Sequence, residues 1–452
     1  MVTVRRRKNA TKEMALYMNG ERVGQWRLYS GGEELIYAPD WMLSSRGRPI
    51  SLRFPFTPGN ARYTGAEVHH YFENLLPDTQ AIRDRLAQRF GVPSTNAFSL
   101  LGALGRDCAG ALQLMPEGES PSDIRKITAT PISDTELAAI LRNVTAPASG
   151  ILRREPNSIP DTDFRLSIAG AQEKTALLWN DGRWHIPHGA TPTTHIFKLP
   201  LGLAGNGQLD LSTSVENEWL CSRIIRAYGL PVADCEIGQF EDQKALVVTR
   251  FDRRMDSSGA WIIRLPQEDL CQATGTSYLK KYQADGGPGI DTILELLRNS
   301  QNAQVDRYAF LKCQLVFWLL AAIDGHAKNF SVRIDAGGAF ALTPFYDVLS
   351  AYPVMGPGAR QLSPKKAKLA MAVRGEQNMH YKLDEIKRRH WIATGKRNGL
   401  PHEANEIVEH AIAATASVIE KVGSELPPNF PAHIADMVFT GLKRAAKKLE
   451  AR

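Results

Sequence analysis

Between Ala322 and Asp347 the sequence sets an Asp, an Asn five residues later, and a second Asp behind a short strand. Asp324 opens Asp324-Gly325-His326-Ala327-Lys328-Asn329, and the β-forming run Ala339-Phe340-Ala341-Leu342-Thr343 leads to Phe345-Tyr346-Asp347. These three polar side chains serve one chemistry only if the fold brings them to one place. An Asp there can hold and deprotonate an attacking hydroxyl, while the Asn and the second Asp offer hard oxygens to Mg²⁺ on nucleotide phosphates. The pattern points to transfer of the γ-phosphate of ATP, with Asp324 as base and Asn329 and Asp347 as metal ligands.

The chain can carry such a site. Its 452 residues are enough for two or three domains, and 43% hydrophobic with 23% charged residues is ordinary for a soluble globular protein. Cys108, Cys221, Cys235, Cys271 and Cys313 are scattered and form no C-x-x-C pair, so thiols in a reducing cytoplasm are expected. The apolar run from Leu315 to Ile323 is too short to span a bilayer. Arg5-Arg6-Arg7-Lys8 is followed by no apolar stretch, so export is not expected. His69-His70 and the pair His185 and His188 lack metal-site spacing.

Charge is uneven. From Arg360 to Arg452 there are 17 Lys and Arg against 10 Asp and Glu, a surplus equal to the +7 of the whole chain. Clusters stand at Lys365-Lys366-Ala367-Lys368, Lys387-Arg388-Arg389 and Lys443-Arg444-Ala445-Ala446-Lys447-Lys448. A polyanion such as DNA would be drawn to them. Taken by themselves, helical lysines are more simply a solvated face.

The pattern along the chain predicts a small α+β unit, then a β-rich lobe, then a helical lobe. Asn19-Gly20 between strands at 14–18 and 22–28 is a hairpin signal, since type I′ turns need φ > 0. A strand is predicted at 35–37, and two helices within 64–90, joined at Asn74-Leu75-Leu76-Pro77-Asp78. Residues 117–160 are rich in Pro, Ser, Thr and Asp and read as linker and crossover, with a helix at 135–142. Strands are expected through 165–200, at 235–240 and 244–249, and a helix at 215–228. Beyond 290 the chain reads as helical except around Asn329 to Asp347, and after Ala367 as helical to the end. The expected boundaries are 1–145, 146–265 and 266–452.

This order of parts places the remaining nucleotide contacts. Ser167 to Leu178 has the small residues of a phosphate-covering loop, although it has one Gly and any hairpin turn can look similar. Lys198, ending the β-forming run Thr194-His195-Ile196-Phe197, is placed to grip the α- and β-phosphates, with Glu218 or Glu216 of the next helix as its carboxylate partner. The backbone of Thr249, Arg250 and Phe251 is the expected adenine hinge, with Asp252 near the ribose; a salt-bridged Asp-Arg turn is the alternative for Asp252-Arg253-Arg254.

Several long motifs in order resemble one family. They are Phe72-Glu73-Asn74-Leu75-Leu76-Pro77-Asp78, Ser167-Ile168-Ala169-Gly170-Ala171-Gln172-Glu173-Lys174, Phe251-Asp252-Arg253-Arg254, Leu265-Pro266-Gln267-Glu268-Asp269, Asp285-Gly286-Gly287-Pro288-Gly289, Asp324 to Asn329, and Pro344-Phe345-Tyr346-Asp347. Together they are similar to HipA, the serine/threonine kinase toxins of bacterial HipBA toxin–antitoxin systems. The resemblance runs over nearly the whole chain.

It implies a two-lobed protein-kinase-like (PI3/4-kinase-like) catalytic domain of α+β class. A small antitoxin-contacting N-terminal domain would precede it, and its C-terminal lobe would be all-helical. ATP and Mg²⁺ are the implied ligands. By analogy ATP would touch Ala169, Gly170, Ala171, Gln172, Glu173, Lys174, Lys198, Thr249, Arg250, Phe251, His326, Ala327, Lys328, Asn329, Tyr346 and Asp347. A Glu would match the family better at Thr249. Ser167 falls at the autophosphorylated serine, where about two added negative charges would repel ATP. The implied partners are a HipB-like helix-turn-helix antitoxin, operator DNA touched at Lys396 and Arg397, and a protein substrate, glutamyl-tRNA synthetase. The implied setting is a bacterial cytoplasm, at the nucleoid when antitoxin is bound. A small-molecule kinase of the aminoglycoside or choline type shares the Asp324/Asn329 logic. A non-enzymatic DNA-bound relative would have no need of Asp324, Asn329, Asp347 and Lys198.

Overall fold

The computed structural model describes residues 12–59, 62–145, 166–167, 172–204, 209–358 and 360–450. The 146–160 part of the linker and crossover expected over 117–160 and the basic start of the chain lie outside them.

Asn19 and Gly20 take φ of 47° and 84°, the left-handed pair a type I′ turn requires, and join the Lys12–Met18 and Glu21–Tyr29 strands. The hairpin is the centre of an antiparallel five-stranded sheet in the order Tyr63–Thr64, Gly32–Tyr37, Glu21–Tyr29, Lys12–Met18, Leu112–Pro116. Alternate residues point to the core, where Trp26 stacks on Phe72 of the Ala66–Glu73 helix with ring centroids 3.8 Å apart. Pro77 ends that helix region, and Gln80–Arg89 starts the next.

The second sheet has six strands in the order Cys235–Phe240, Gln243–Thr249, His195–Lys198, Lys174–Asn180, Arg183–Pro187, Ala129–Pro131. Its two faces are covered differently. Leu137, Ala138 and Leu141 of the Asp134–Thr145 helix pack with Phe197, Leu177 and Ala245 on one face. Leu220 and Ile224 of the Ser214–Ala227 helix pack with Leu246 and Val248 on the other. Because side chains alternate along a strand, Phe197 entering the first core sends Lys198 to the opposite face, toward the Ser214–Ala227 helix.

The last lobe is built on the Ala303–Leu319 helix, buried all round from Phe310 onward and packed by the Pro401–Ser424 and Ala432–Glu450 helices. The lobe is not all-helical, contrary to expectation. Gln267–Asp269, Ser331–Ile334 and Phe340–Leu342 form a three-stranded sheet, and Lys368–Arg374 pairs with Met379–Lys382 where helix was expected. Leu369, Met371 and Val373 alternate into the core, a period of two inside a basic, helix-like composition.

The first unit and the rest are tied by buried charges. Asp107 lies 2.8 Å from Arg253 and 3.3 Å from Arg250, and Arg264 approaches it at 3.4 Å. Asp252 closes the cluster through Arg250 at 2.8 Å and Arg253 at 3.0 Å. Nearby, Asp107–Cys108 pairs in parallel with Leu166–Ser167. Among the described residues no helix is long and apolar enough to cross a membrane.

Candidate active site

One cleft lies between the two lobes, and Asn74, Leu75 and Asp78 of the first unit close one side of it. It brings together Gln172, Lys174, Lys198, Glu218, Thr249, Arg250, Phe251, Asp324, His326, Lys328, Asn329, Tyr346 and Asp347. Ala169, Gly170 and Ala171 lie outside the described residues, and of Ser167 only the backbone is described.

Lys198 is the cleft cation held by two carboxylates. Its Nζ is 2.6 Å from Glu218 Oε1 and 2.6 Å from Asp347 Oδ1. Glu216, the other acid considered for this pairing, instead holds Lys244 at 2.5 Å. Register pairs Lys198 with Lys174, so both ammoniums face the same cleft. Burial pushes Asp347 up, but the Lys198 and Lys174 charges outweigh it and hold the carboxyl well below the usual range. Burial, reinforced by Lys198, pulls Lys174 down to about 8. Asp347 adopts φ of 60°, a left-handed conformation costly for a residue with a Cβ and typical of functional positions.

The Asp324 segment follows the buried Ala303–Leu319 helix through Ala321, itself at φ 50°. A Cβ on Gly325 would come within 2.4 Å of the Phe317 ring, so this position accepts only glycine without repacking. Asp324 is exposed at the mouth of the cleft. Its carbonyl accepts from His326 N–H at 2.8 Å and Asn329 Nδ2 at 2.9 Å. With Nδ2 so engaged, Asn329 Oδ1 has no hydrogen-bond partner among the described residues, and neither does Asp324 Oδ2. His326 is buried, and burial lowers its pKa; its Nδ1 has no hydrogen-bond partner among the described residues.

The apolar end is lined by Ile196, Val232, Ala233, Val248, Phe251 and Tyr346. Phe251 N–H donates to no described acceptor, while Arg250 N–H bonds Thr194 O at 2.9 Å. Tyr346 hydroxyl meets Ser331 Oγ at 2.5 Å and donates to Lys328 O at 3.1 Å.

Some side chains are turned elsewhere. Asp252 does not reach for a ribose: its carboxylate takes Gly110 N–H at 2.7 Å and the Arg250 and Arg253 guanidiniums. The Arg250 guanidinium is spent on Asp252, Thr193 and the Cys108 carbonyl, leaving only its backbone to the cleft. Lys328 Nζ is held by Asp78 Oδ1 at 2.9 Å and Asn74 O at 3.1 Å. Gln172 Nε2 donates to Leu199 O at 2.5 Å, Glu173 pairs with Arg85, and Ala327 N–H bonds Lys281 O. Lys396 and Arg397 lie away from the cleft at the end of the Arg388–Arg397 helix, both exposed, with Arg397 bonded to the Gly375 and Glu376 carbonyls.

Asp78 and Glu268, which the sequence did not mark as site residues, also line this cleft, and Tyr282 reaches Asp324 at its mouth. Asp78 links Lys281 at 2.7 Å and Lys328. Tyr282 donates to Asp324 Oδ1 at 2.5 Å. Glu268 accepts Leu52 N–H at 2.7 Å, and burial raises its pKa to about 8. The signal for Asp78 and Glu268 was their place inside two of the family-like motifs; Tyr282, four residues before Gly286, carried none.

The model of the HipA-like C-terminal domain matches residues 166–419, and that of the HipA N-terminal domain matches 14–115. The chain belongs to the HipA family. A putative kinase, Y4mE of Sinorhizobium fredii, is 33% identical over 359 residues, covering 78% of this chain and 81% of that protein. The serine/threonine-protein kinase toxin HipA of Shewanella oneidensis is 29% identical over 325 residues, 70% and 69% of the two chains. The solved complex of Shewanella oneidensis HipA with HipB and its operator DNA contains a chain that superposes with a TM-score of 0.76 at 25% identity, covering 97% of both chains. This HipA-family protein is therefore a kinase with the two-lobed kinase-like fold.

Proposed function

We propose that the chain is a serine/threonine-protein kinase toxin that transfers the γ-phosphate of ATP to a protein hydroxyl. The observation that supports this most is Lys198 held between Glu218 and Asp347, in the cleft that Asp324 and Asn329 line. A triphosphate entering there meets Lys198 and Lys174, and its adenine has the apolar end and the free Phe251 N–H. The ionised Asp347 carboxylate and the unengaged Asn329 Oδ1 are hard oxygens suited to Mg²⁺, which when bound neutralises phosphate charge. Asp324, exposed at the mouth, holds the acceptor hydroxyl and takes its proton as the oxygen attacks phosphorus.

The rest of the reading follows the HipA relatives. The cleft contacts extend to the loop of Ala169, Gly170 and Ala171 with Gln172 and Glu173, and to His326, Ala327, Lys328 and Tyr346. Ser167 is the self-phosphorylated serine, and glutamyl-tRNA synthetase the translation-stopping substrate. A HipB-like antitoxin binds the unit at 1–145, and the pair rests on operator DNA with Lys396 and Arg397 at the phosphates, in the cytoplasm at the nucleoid. Because the Lys396 side chain is exposed, it can serve there.

The test is Asp324→Ala with γ-labelled ATP. Loss of at least about a hundredfold in phosphate transfer is expected; undiminished transfer would overturn the assignment. Label on the chain's own Ser167 or on a protein supports the protein kinase, and label confined to a metabolite supports a small-molecule kinase.

A further inference from the structure

The backbone of Asp324 is well fixed, since its carbonyl takes two hydrogen bonds from its own loop. The carboxylate is not: it is exposed, and rotation about its side chain would sweep both oxygens away from the cleft. One described group restrains it, the Tyr282 hydroxyl, which donates to Oδ1 at 2.5 Å. Burial and the Asp324 charge both push the Tyr282 phenol well above its ordinary pKa, so it remains a donor through the physiological range.

Tyr282 is itself braced. Its ring meets His326 edge-on, centroids 5.0 Å apart at 86°. Its carbonyl accepts from Asp285 N–H at 3.1 Å and Gly287 N–H at 3.0 Å. The preceding residue, Lys281, gives its ammonium to Asp78 and its carbonyl to Ala327 N–H at 3.2 Å. Asp78 also grips Lys328, next to Asn329. One carboxylate of the first unit thus holds both segments that orient Asp324.

We propose that Tyr282 is a positioning residue for phosphoryl transfer: its hydroxyl holds Asp324 Oδ1 so that Oδ2, which has no described partner, faces the acceptor. In the step, the acceptor O–H proton passes to Oδ2, the acceptor oxygen bonds the γ-phosphorus, and the bond from that phosphorus to the β–γ bridging oxygen breaks. ADP departs with the electron pair. Tyr282 gives up no proton and orients the base throughout. The inference rests on Asp324 being the base.

The experiment uses the full chain and follows ADP formation from Mg-ATP, which counts transfer to water, to the chain and to added casein alike. Tyr282→Phe keeps the ring on His326 and removes only the donor. Its kcat should fall about tenfold to a hundredfold with KM for ATP changed less than twofold. A merely structural loss would instead raise KM for ATP or lower the melting temperature along with kcat. Difluorotyrosine at 282, which restores a hydroxyl donor in nearly the same shape, should bring kcat back toward the wild-type value. Unchanged kcat in Tyr282→Phe, or no recovery of kcat with difluorotyrosine, overturns the proposal even where Asp324→Ala is inactive. If Asp324→Ala also retains activity, the parent reading of the base falls instead.

Discussion

Lys198 Nζ stands 2.6 Å from Glu218 Oε1, an ion pair with both side chains under a tenth exposed. The same ammonium holds Asp347, so one cation ties a strand of the first lobe, a helix and the Asp347 segment. Asn217, beside Glu218, strengthens the tie by exchanging hydrogen bonds with the Ser350 backbone at 2.8 and 2.9 Å.

Lys198→Ala strands the buried Glu218 charge. Its expected cost is roughly 3 kcal/mol of stability, with less from Asp347, which is a third exposed and partly screened. Thermal melting of the variant should drop, and phosphate transfer should fall at least a hundredfold. Glu218→Gln, which keeps a hydrogen-bond acceptor, should melt closer to wild type while losing transfer.

Lys174 should link nucleotide binding to protons. With a pKa near 8 in the free protein, it is about half protonated at pH 8, and an arriving triphosphate favours the charged form. Binding at pH 8 should take up a fraction of a proton, and affinity should weaken as pH rises above 8. Calorimetry of Mg-ATP binding in buffers of different ionisation enthalpy measures this; Lys174→Arg should abolish the uptake.

Asp78→Ala should weaken catalysis from outside the kinase lobes. Burial raises the Asp78 carboxyl, but Lys328 and Lys281 overcome it and bring it to about 2, so it is fully charged. Its removal takes from Lys328, 3% exposed, its direct ion-pair partner, at a cost of roughly 3 kcal/mol. Denaturant unfolding should show that loss, and ADP formation should slow. Asp78→Asn, retaining an acceptor, should lose less.

Glu268 sets a stability trend. Its folded pKa of about 8 exceeds the ordinary glutamate value of 4.5, so between these values the folded chain holds a proton that the unfolded chain releases. Stability should therefore fall as pH rises across that window, by up to about 1.4 kcal/mol per unit from this group. The melting difference between wild type and Glu268→Gln should widen in favour of the variant from pH 5 to pH 8.

Local rules carried much of the fold into view. Asn19-Gly20 marked its hairpin because a turn of that type tolerates few other pairs, and Pro77 marked the junction of two helices. Lys198 was legible because strand alternation and its place before a helix leave it one face. Asp252 stayed open between a ribose contact and a salt-bridged turn because a carboxylate beside a hinge suits both; the structure has the turn with Arg250 and Arg253, and its bond to Gly110 is decided by packing across more than a hundred residues. The Lys368–Arg374 strand was hidden by basic residues that favour helix, until burial of alternate side chains prevailed. Tyr282 escaped notice since nothing nearby announces that a phenol 42 residues upstream will reach Asp324.

The Asp107, Arg250, Asp252, Arg253 and Arg264 cluster has a consequence for biogenesis. Its acid from the early part of the chain and its guanidiniums from the middle neutralise one another out of water, so neither portion can mature alone without exposing or stranding ions. A copy cut short before Arg250 has an orphan carboxylate, and one lacking its beginning has surplus cations in a dry interior. Stable folding of either portion thus calls for the other.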